Sequence, residues 1–152
     1  MPAPQYRIFF DTSVYIAGLR SPTGGAAREL LRLVESQAIR MVVSDEVVLE
    51  VDRVMQAKFP GLVQESRQFW KELKPEVVPN PPSDYVKPFL EKLDKGDAAI
   101  LCAAGLAKVS AFVTWNTRDF MAHGVEALVG FPIVIPADAL KLFRKWIDPF
   151  LD

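Results

Sequence analysis

The sequence predicts one α/β domain over residues 1–152, in which helices cover both faces of a central parallel sheet. Short apolar runs alternate with longer segments of helical periodicity, which is the pattern of parallel strands joined by crossover helices. A length of 152 residues fits one ordinary domain. Because half of the residues are apolar and 24% are charged, the chain can bury a core.

The first half of the chain combines apolar strands with amphipathic helices. Its opening run, Tyr-Arg-Ile-Phe-Phe, is short, apolar and aromatic, as buried strands are. After a Ser-Pro-Thr-Gly-Gly breaker, Leu30, Leu31 and Val34 recur at helical spacing. Ser44 can cap the next helix, whose first turn carries two acids that favour the helix dipole. The predicted elements are a strand at 6–10, a helix at 26–36, a strand at 41–43 and helices at 45–58 and 62–73.

The second half follows a stretch at 74–83 that contains four prolines. Each half is too small for a core of its own, so this stretch is predicted to be a connection within one domain. The alanine-rich segment beyond it is typical of a tightly packed, buried helix, and Pro136 suits a helix start. The predicted elements are helices at 84–93 and 97–107, a strand at 111–114, a turn at Asn116, a strand at 132–135 and a helix at 136–146.

The composition excludes several classes of protein. A single cysteine, Cys102, excludes an internal disulfide framework and a multi-cysteine zinc site, and we expect it to be a small core residue. A single histidine, His123, excludes mechanisms that need a histidine pair, and we expect it in a loop. The longest charge-free apolar run, at 98–107, is shorter than the roughly 20 residues that span a bilayer, so no membrane association is expected. The N-terminus carries no leader-like segment, which predicts a cytoplasmic protein.

The charge balance limits how a nucleic acid could be held. Eighteen basic and nineteen acidic residues give a net charge of −1. Because nucleic-acid binders usually carry a basic excess, such a partner would have to be held by a local patch or by metal.

Three carboxylates stand where predicted elements meet the carboxyl edge of the sheet, the edge at which α/β proteins bind ligands. Asp11 directly follows the first strand, Asp119 lies five residues beyond the third, and Asp97 opens the alanine-rich helix. Each acid alone is better explained as a turn former or helix cap than as a site residue. Turns and caps do not explain why several acids lie on one rim without matching bases. This rim is therefore the candidate site.

The helix after the second strand offers a fourth acid, which periodicity cannot identify. At about 100° per residue, Glu50 lies about 100° to one side of the apolar face and Asp52 about 100° to the other. Either acid can flank the core, and both remain candidates at this point.

Four segments, taken in order and spacing, resemble the PIN domain, the nuclease fold found in VapC-type toxins. The resemblance extends over about residues 6–135, nearly the whole chain. One segment alone is a weak signal, whereas four in order are specific. They are Phe-Asp-Thr-Ser at 10–13, Ser-Asp-Glu-Val-Val-Leu-Glu at 44–50, Gly-Asp-Ala-Ala-Ile-Leu at 96–101 and Val-Thr-Trp-Asn-Thr-Arg-Asp-Phe at 113–120.

Carried over by position, the resemblance implies four catalytic and metal-binding carboxylates. They are Asp11, Glu50, Asp97 and Asp119. The resemblance therefore selects Glu50 over Asp52. It also matches Thr12 or Ser13 to a small hydroxyl position beside the first acid, and Asn116 to a polar position that accompanies the last. Arg118 can contact phosphate or pair with an acid, and for Trp115 packing at the end of the sheet is favoured over stacking on a base.

The residue types suit one or two Mg²⁺ or Mn²⁺ ions. Clustered carboxylates repel one another unless a cation neutralises them, and these ions prefer oxygen ligands. One ion can polarise a phosphate and lower the pKa of a water, and a second, about 3.5–4 Å away, can stabilise the leaving oxygen. Such ions also reverse the local negative potential, so an acidic chain can still hold RNA.

Three functions are compared. The preferred one is a metal-dependent endoribonuclease, the toxin of a bacterial toxin–antitoxin pair, for which the resemblance suggests a small antitoxin partner and a homodimer. The alternative is a PIN-like module that binds RNA or protein without turnover, against which the complete set of four acids argues. A phosphohydrolase with an aspartate nucleophile needs a second aspartate two residues after Asp11, where this chain has Ser13.

Overall fold

A five-stranded parallel sheet lies at the centre of the structure, a computed structural model that describes residues 6–151. Residues 1–5, on which the expectation of no leader rests, and residue 152 lie outside this part. The strands are β1 (Tyr6–Phe10), β2 (Ile39–Ser44), β3 (Glu76–Val78), β4 (Ala111–Val113) and β5 (Ile133–Val134). Their spatial order is β3-β2-β1-β4-β5, so β1 is the central strand.

Both faces of the sheet are covered by helices. Neighbouring residues of a strand point to opposite faces, yet Ile8, Phe9 and Phe10 of β1 are all fully buried, as is the whole of β4. The predicted α/β class with a central parallel sheet is therefore confirmed. The helices are α1 (Thr12–Arg20), α2 (Ala26–Glu35), α3 (Asp45–Lys58), α4 (Val63–Leu73), α5 (Ser83–Leu90), α6 (Lys95–Ala107), α7 (Thr117–Phe120) and α8 (Pro136–Ile147).

Helix α1 was not among the predicted elements. It begins directly after Asp11 and buries Val14, Tyr15 and Leu19 at helical spacing. Gly18 lets it approach α2, because a Cβ atom at this position would lie 2.5 Å from the side chain of Leu31. The close packing of α1 on α2 fixes the position of the residues that follow β1.

Strand β3 lies inside the proline-rich stretch, which was predicted to be only a connection. Its three residues pair in parallel with the end of β2 and form an edge of the sheet. Pro75 and Pro79 flank it, and edge positions tolerate prolines because they need fewer backbone donors. Arg7 of β1 donates from Nε to Glu76 Oε1 at 3.1 Å and so ties this edge to the central strand.

Helix α6 begins two residues earlier than predicted. Asp94 is its N-cap and accepts a hydrogen bond from the backbone N of Asp97 at 2.9 Å, so Asp97 lies in the first turn instead of opening the helix. Cys102, in the same helix, is buried, as predicted. Within residues 6–151, no helix combines the length and apolarity needed to cross a membrane.

Candidate active site

Asp11 stands at the carboxyl end of the central strand and is almost completely buried. Its backbone N donates to the carbonyl of Val113 at 3.0 Å, which continues the pairing of β1 with β4. Its Oδ2 atom accepts hydrogen bonds from Ser13 Oγ at 2.9 Å and from Thr114 Oγ1 at 2.8 Å. Burial raises the pKa of Asp11, and the two hydroxyl donors oppose that rise. The carboxylate is therefore held in a fixed orientation in a poorly solvated position.

Glu50 lies in the second turn of α3, beside Asp11. Ser44 caps this helix by accepting a hydrogen bond from the backbone N of Val47 at 3.4 Å. Burial is the largest cause of a raised pKa of Glu50, and the negative charge of Asp11 adds to it. The nearby hydroxyl of Thr12 opposes this rise in the pKa of Glu50. Thr12 Oγ1 is buried, and none of the described residues meets it in good hydrogen-bond geometry. The Thr12 hydroxyl therefore lies beside the Glu50 carboxylate.

Asp52, the other candidate on α3, is engaged elsewhere. Arg67 of α4 donates to both of its carboxylate oxygens at 3.1 Å, and Gln56 donates to Oδ2 at 2.6 Å. The hydrogen bonds from Arg67 are the largest cause of a lowered pKa of Asp52. The structure thus places Glu50 beside the carboxyl edge of the sheet and Asp52 in a surface ion pair between α3 and α4.

Three further carboxylates meet at the same place. Asp94, Asp97 and Asp119 each bring one oxygen to within 4.8 Å of the others. The pKa of Asp97 is raised to about 7, first by burial and then by four neighbouring negative charges. In order of size, these charges belong to Asp94, Asp11, Asp119 and Glu50. The four acids selected from the sequence therefore lie close enough for their charges to act on Asp97, and two of them, Asp97 and Asp119, belong to the group within 4.8 Å.

Asp94 is the fifth member of this group and was missed in the sequence. The signal that could have found it is the spacing Asp-Lys-Gly-Asp before the alanine-rich helix, because an aspartate three residues before another suits an N-cap. We call the five carboxylates the acidic cluster. It consists of Asp11, Glu50, Asp94, Asp97 and Asp119.

A chain of hydrogen bonds connects the two ends of the acidic cluster. Thr114 Oγ1 donates to Asp11 and accepts from the backbone N of Asn116 at 2.8 Å. Asn116 Nδ2 donates to Asp119 Oδ2 at 3.1 Å, and Asn116 Oδ1 caps α7 by accepting from the backbone N of Asp119. Thr114 was also missed in the sequence, although a buried threonine at the end of β4 has to find a partner for its hydroxyl. These hydrogen bonds therefore fix the positions of the Asp11 and Asp119 carboxylates relative to each other.

The remaining predicted positions have mixed outcomes. Ser13 links Asp11 to the backbone of the next loop by accepting from the N of Trp115 at 3.1 Å. Arg118 is exposed and forms no ion pair within residues 6–151, so the proposed pairing with an acid is not observed. The prediction that Trp115 packs at the end of the sheet is wrong, because its side chain is 44% exposed. His123 is exposed in the loop after α7, as predicted.

The chemistry of the acidic cluster fits a hard divalent cation. Across the part of the chain that the structure describes, none of the five carboxylates forms an ion pair with a lysine, arginine or histidine. Five unpaired acids on one rim repel one another, and oxygen-rich groups of this kind are the ligands of Mg²⁺ and Mn²⁺. A cation would neutralise the repulsion that raises the pKa of Asp97.

Comparisons with known proteins agree on one fold family. No curated protein matches the chain in sequence. Among solved structures, it is similar to a chain in the crystal structure of VapBC2 from Rickettsia felis bound to a DNA fragment from their promoter, with a TM-score of 0.63 and 15% identity. That match covers 85% of this chain and 98% of the other. The sequence profile of the PIN domain matches residues 7–118, well over half of the chain. The protein belongs to the PIN domain family.

Proposed function

We propose that the protein is a metal-dependent endoribonuclease that hydrolyses phosphodiester bonds of RNA and serves as a VapC-like toxin. The observation that carries this proposal is the convergence of four unpaired carboxylates around a fifth, Asp97, at the carboxyl edge of the sheet. Membership of the PIN domain family and the likeness of the fold to a chain of VapBC2 support it. A site made only of acids cannot attract a polyanion unless cations reverse its potential.

We propose Asp11, Glu50, Asp97 and Asp119 as the metal ligands and catalytic residues, with Asp94 as a further ligand. When bound, Mg²⁺ or Mn²⁺ supplies a Lewis acid for the phosphate and a water of lowered pKa. Two hydroxyl donors keep Asp11 Oδ2 oriented, and backbone hydrogen bonds from Thr12 and Ser13 add to the donors around this carboxylate.

The other residues of the rim position ligands and substrate. Asn116 orients the carboxylate of Asp119 through two hydrogen bonds, as the partners of metal ligands commonly do. Arg118 lies next to Asp119, is exposed and has no acidic partner in the described chain, so its guanidinium can contact a phosphate of the RNA. The buried hydroxyl of Thr12 supports the neighbouring carboxylate of Glu50.

The proposed toxin role includes a small antitoxin partner, a homodimer and action in the cytoplasm. The structural neighbour VapBC2 supports the antitoxin. The reading frame beside this gene tests that part. A short neighbour with a DNA-binding start and a disordered tail favours the toxin role, whereas an isolated gene favours a solitary nuclease.

The second candidate function is a PIN-like module that binds RNA or protein without cutting it. A cluster of five unpaired acids does not serve to stabilise a fold, because mutual repulsion of the carboxylates destabilises the folded state. A bound cation would offset this cost. The presence of the full acidic cluster therefore favours the nuclease.

We expect the purified protein to cleave RNA in Mg²⁺ or Mn²⁺ and to stop in excess chelator, because the acidic cluster then repels the phosphates. The measurement follows end-labelled RNA, single-stranded or structured, in metal, in chelator, and after metal is restored. An Asp97→Asn variant purified in parallel controls for contaminating ribonucleases. Full activity in chelator would contradict the metal mechanism. RNA binding with no cleavage under any metal condition would support the non-catalytic module.

A further inference from the structure

Trp115 is the exposed aromatic residue of the segment that connects the two ends of the acidic cluster. We propose that its indole ring stacks on an unpaired base of the RNA beside the phosphate that is cut. This inference rests on the proposed function and names a residue that positions its substrate.

The backbone of Trp115 is fixed from both sides. The residue before it, Thr114, is bonded to Asp11, and the residue after it, Asn116, is bonded to Asp119. Its own backbone N donates to Ser13 Oγ at 3.1 Å, and its carbonyl accepts from the N of Thr117 at 3.0 Å. The backbone that carries the ring is therefore fixed between residues that bond to two proposed metal ligands.

The ring itself has no partner of the kind that the other two tryptophans have. Trp146 stacks on Tyr6 with ring centroids 5.1 Å apart, and Trp70 meets Tyr15 edge-on at 4.9 Å. Both are partly buried against the core. Trp115 is 44% exposed and has no aromatic or cation–π contact within residues 6–151. Nearly half of its surface is thus left in water, although its backbone N and carbonyl both have hydrogen-bond partners.

Nucleobase stacking accounts for this arrangement. The chain has a net charge of −1, so general attraction to phosphates is weak and another source of affinity is needed. Every base presents a π-face, and aromatic side chains on rigid backbone are the usual platforms for unpaired bases. Arg118, three residues further on, is exposed as well and offers a phosphate contact within the same segment.

The test compares Trp115→Ala and Trp115→Phe on a short single-stranded RNA whose cleavage site has been mapped. We expect Trp115→Ala to lower kcat/KM by about 5- to 150-fold, mostly through KM, and Trp115→Phe to restore most of the loss. A matched RNA with abasic nucleotides flanking the cut should be a poor substrate for the wild type, and Trp115→Ala should not distinguish it from the normal RNA. Leu106→Ala, which removes another half-exposed apolar side chain from the far end of α6, should act as wild type.

A second measurement separates this inference from the proposed function. Adding the single-stranded RNA in Mg²⁺ should quench the tryptophan fluorescence within the first turnover, and Trp115→Phe should lose that quench. If the wild type cuts no RNA, the proposed function fails, and the quench still decides whether Trp115 stacks on bases. Cleavage and fluorescence that do not depend on Trp115 would overturn the inference. Unchanged cleavage with weaker self-association of Trp115→Ala would overturn it too, since the ring would then serve a protein interface.

Discussion

Glu50→Gln is expected to lower RNA cleavage by on the order of 100-fold or more, because it removes a charged ligand from the proposed metal site. Asp52→Asn, two residues along the same helix, is expected to leave cleavage within about twofold of wild type, because exposed ion pairs contribute little. Asp52 pairs with Arg67, whereas the charge of Asp11 acts directly on Glu50. Initial rates at saturating Mn²⁺ measure the difference.

The two variants together separate loss of a proposed metal ligand from loss of stability and from a general effect of substitution on α3. Both substitutions replace a carboxylate by its amide on α3, and circular dichroism establishes that each variant is folded. An essential Asp52 together with a dispensable Glu50 would show that the acids were assigned to the wrong faces of this helix.

Asp97→Asn is expected to make the metal-free protein more resistant to heat than wild type at neutral and alkaline pH. The pKa of Asp97 is about 7 in the folded protein, above the 3.8 of an ordinary aspartate. Below the lower value the carboxyl is protonated in both states, and folding carries no penalty from it. As pH rises towards 7, the unfolded chain releases its proton before the folded one, so the folded state loses stability. Asparagine has no proton to release and avoids this loss.

Melting temperatures between pH 4 and 8.5 in chelator measure the effect. The wild type should melt at progressively lower temperature as pH rises from 4 to about 7, and the loss should level off above the folded pKa of Asp97. The advantage of Asp97→Asn should grow over the same interval and be small near pH 4. A smaller slope should remain in the variant, because burial also raises the pKa of Asp11 and Glu50. Asp52→Asn should keep the wild-type slope. A variant that is no more stable than wild type at pH 8 would mean that Asp97 acts only as an ordinary acid in the first turn of a helix.

Four of the five strands, and Asp11, Asp97 and Asp119 on the rim of the sheet, were predictable because local sequence determines them. β1 and β4 are buried on both faces, and such strands read as continuous apolar runs. Asp11 follows β1 directly, so its place at the carboxyl edge of the sheet needs no knowledge of distant contacts. The same is true of Asn116 and Asp119, whose hydrogen bonds span only three residues.

The elements that were missed depend on contacts between distant segments. β3 has three residues between prolines and is a strand because it pairs with β2 and because Glu76 bonds to Arg7, 69 residues away. Helix α1 contains Gly18, which weakens a helix in isolation but allows α2 to approach closely. Periodicity alone left Glu50 and Asp52 equivalent, since the partner that separates them is on α4.

Calorimetric titration of Mn²⁺ into the metal-free protein tests most directly whether the acidic cluster is one metal site. We expect the wild type and Asp52→Asn to bind Mn²⁺ alike, and Asp97→Asn to bind it at least about tenfold more weakly, because a ligand at the centre of the cluster is lost. At a hundredfold excess over Kd, binding to the folded state should stabilise the wild type by about 2.7 kcal/mol, and Asp97→Asn should gain less at the same concentration. Undiminished Mn²⁺ binding by Asp97→Asn, or no binding by the wild type, would contradict the assignment of these carboxylates to a metal site.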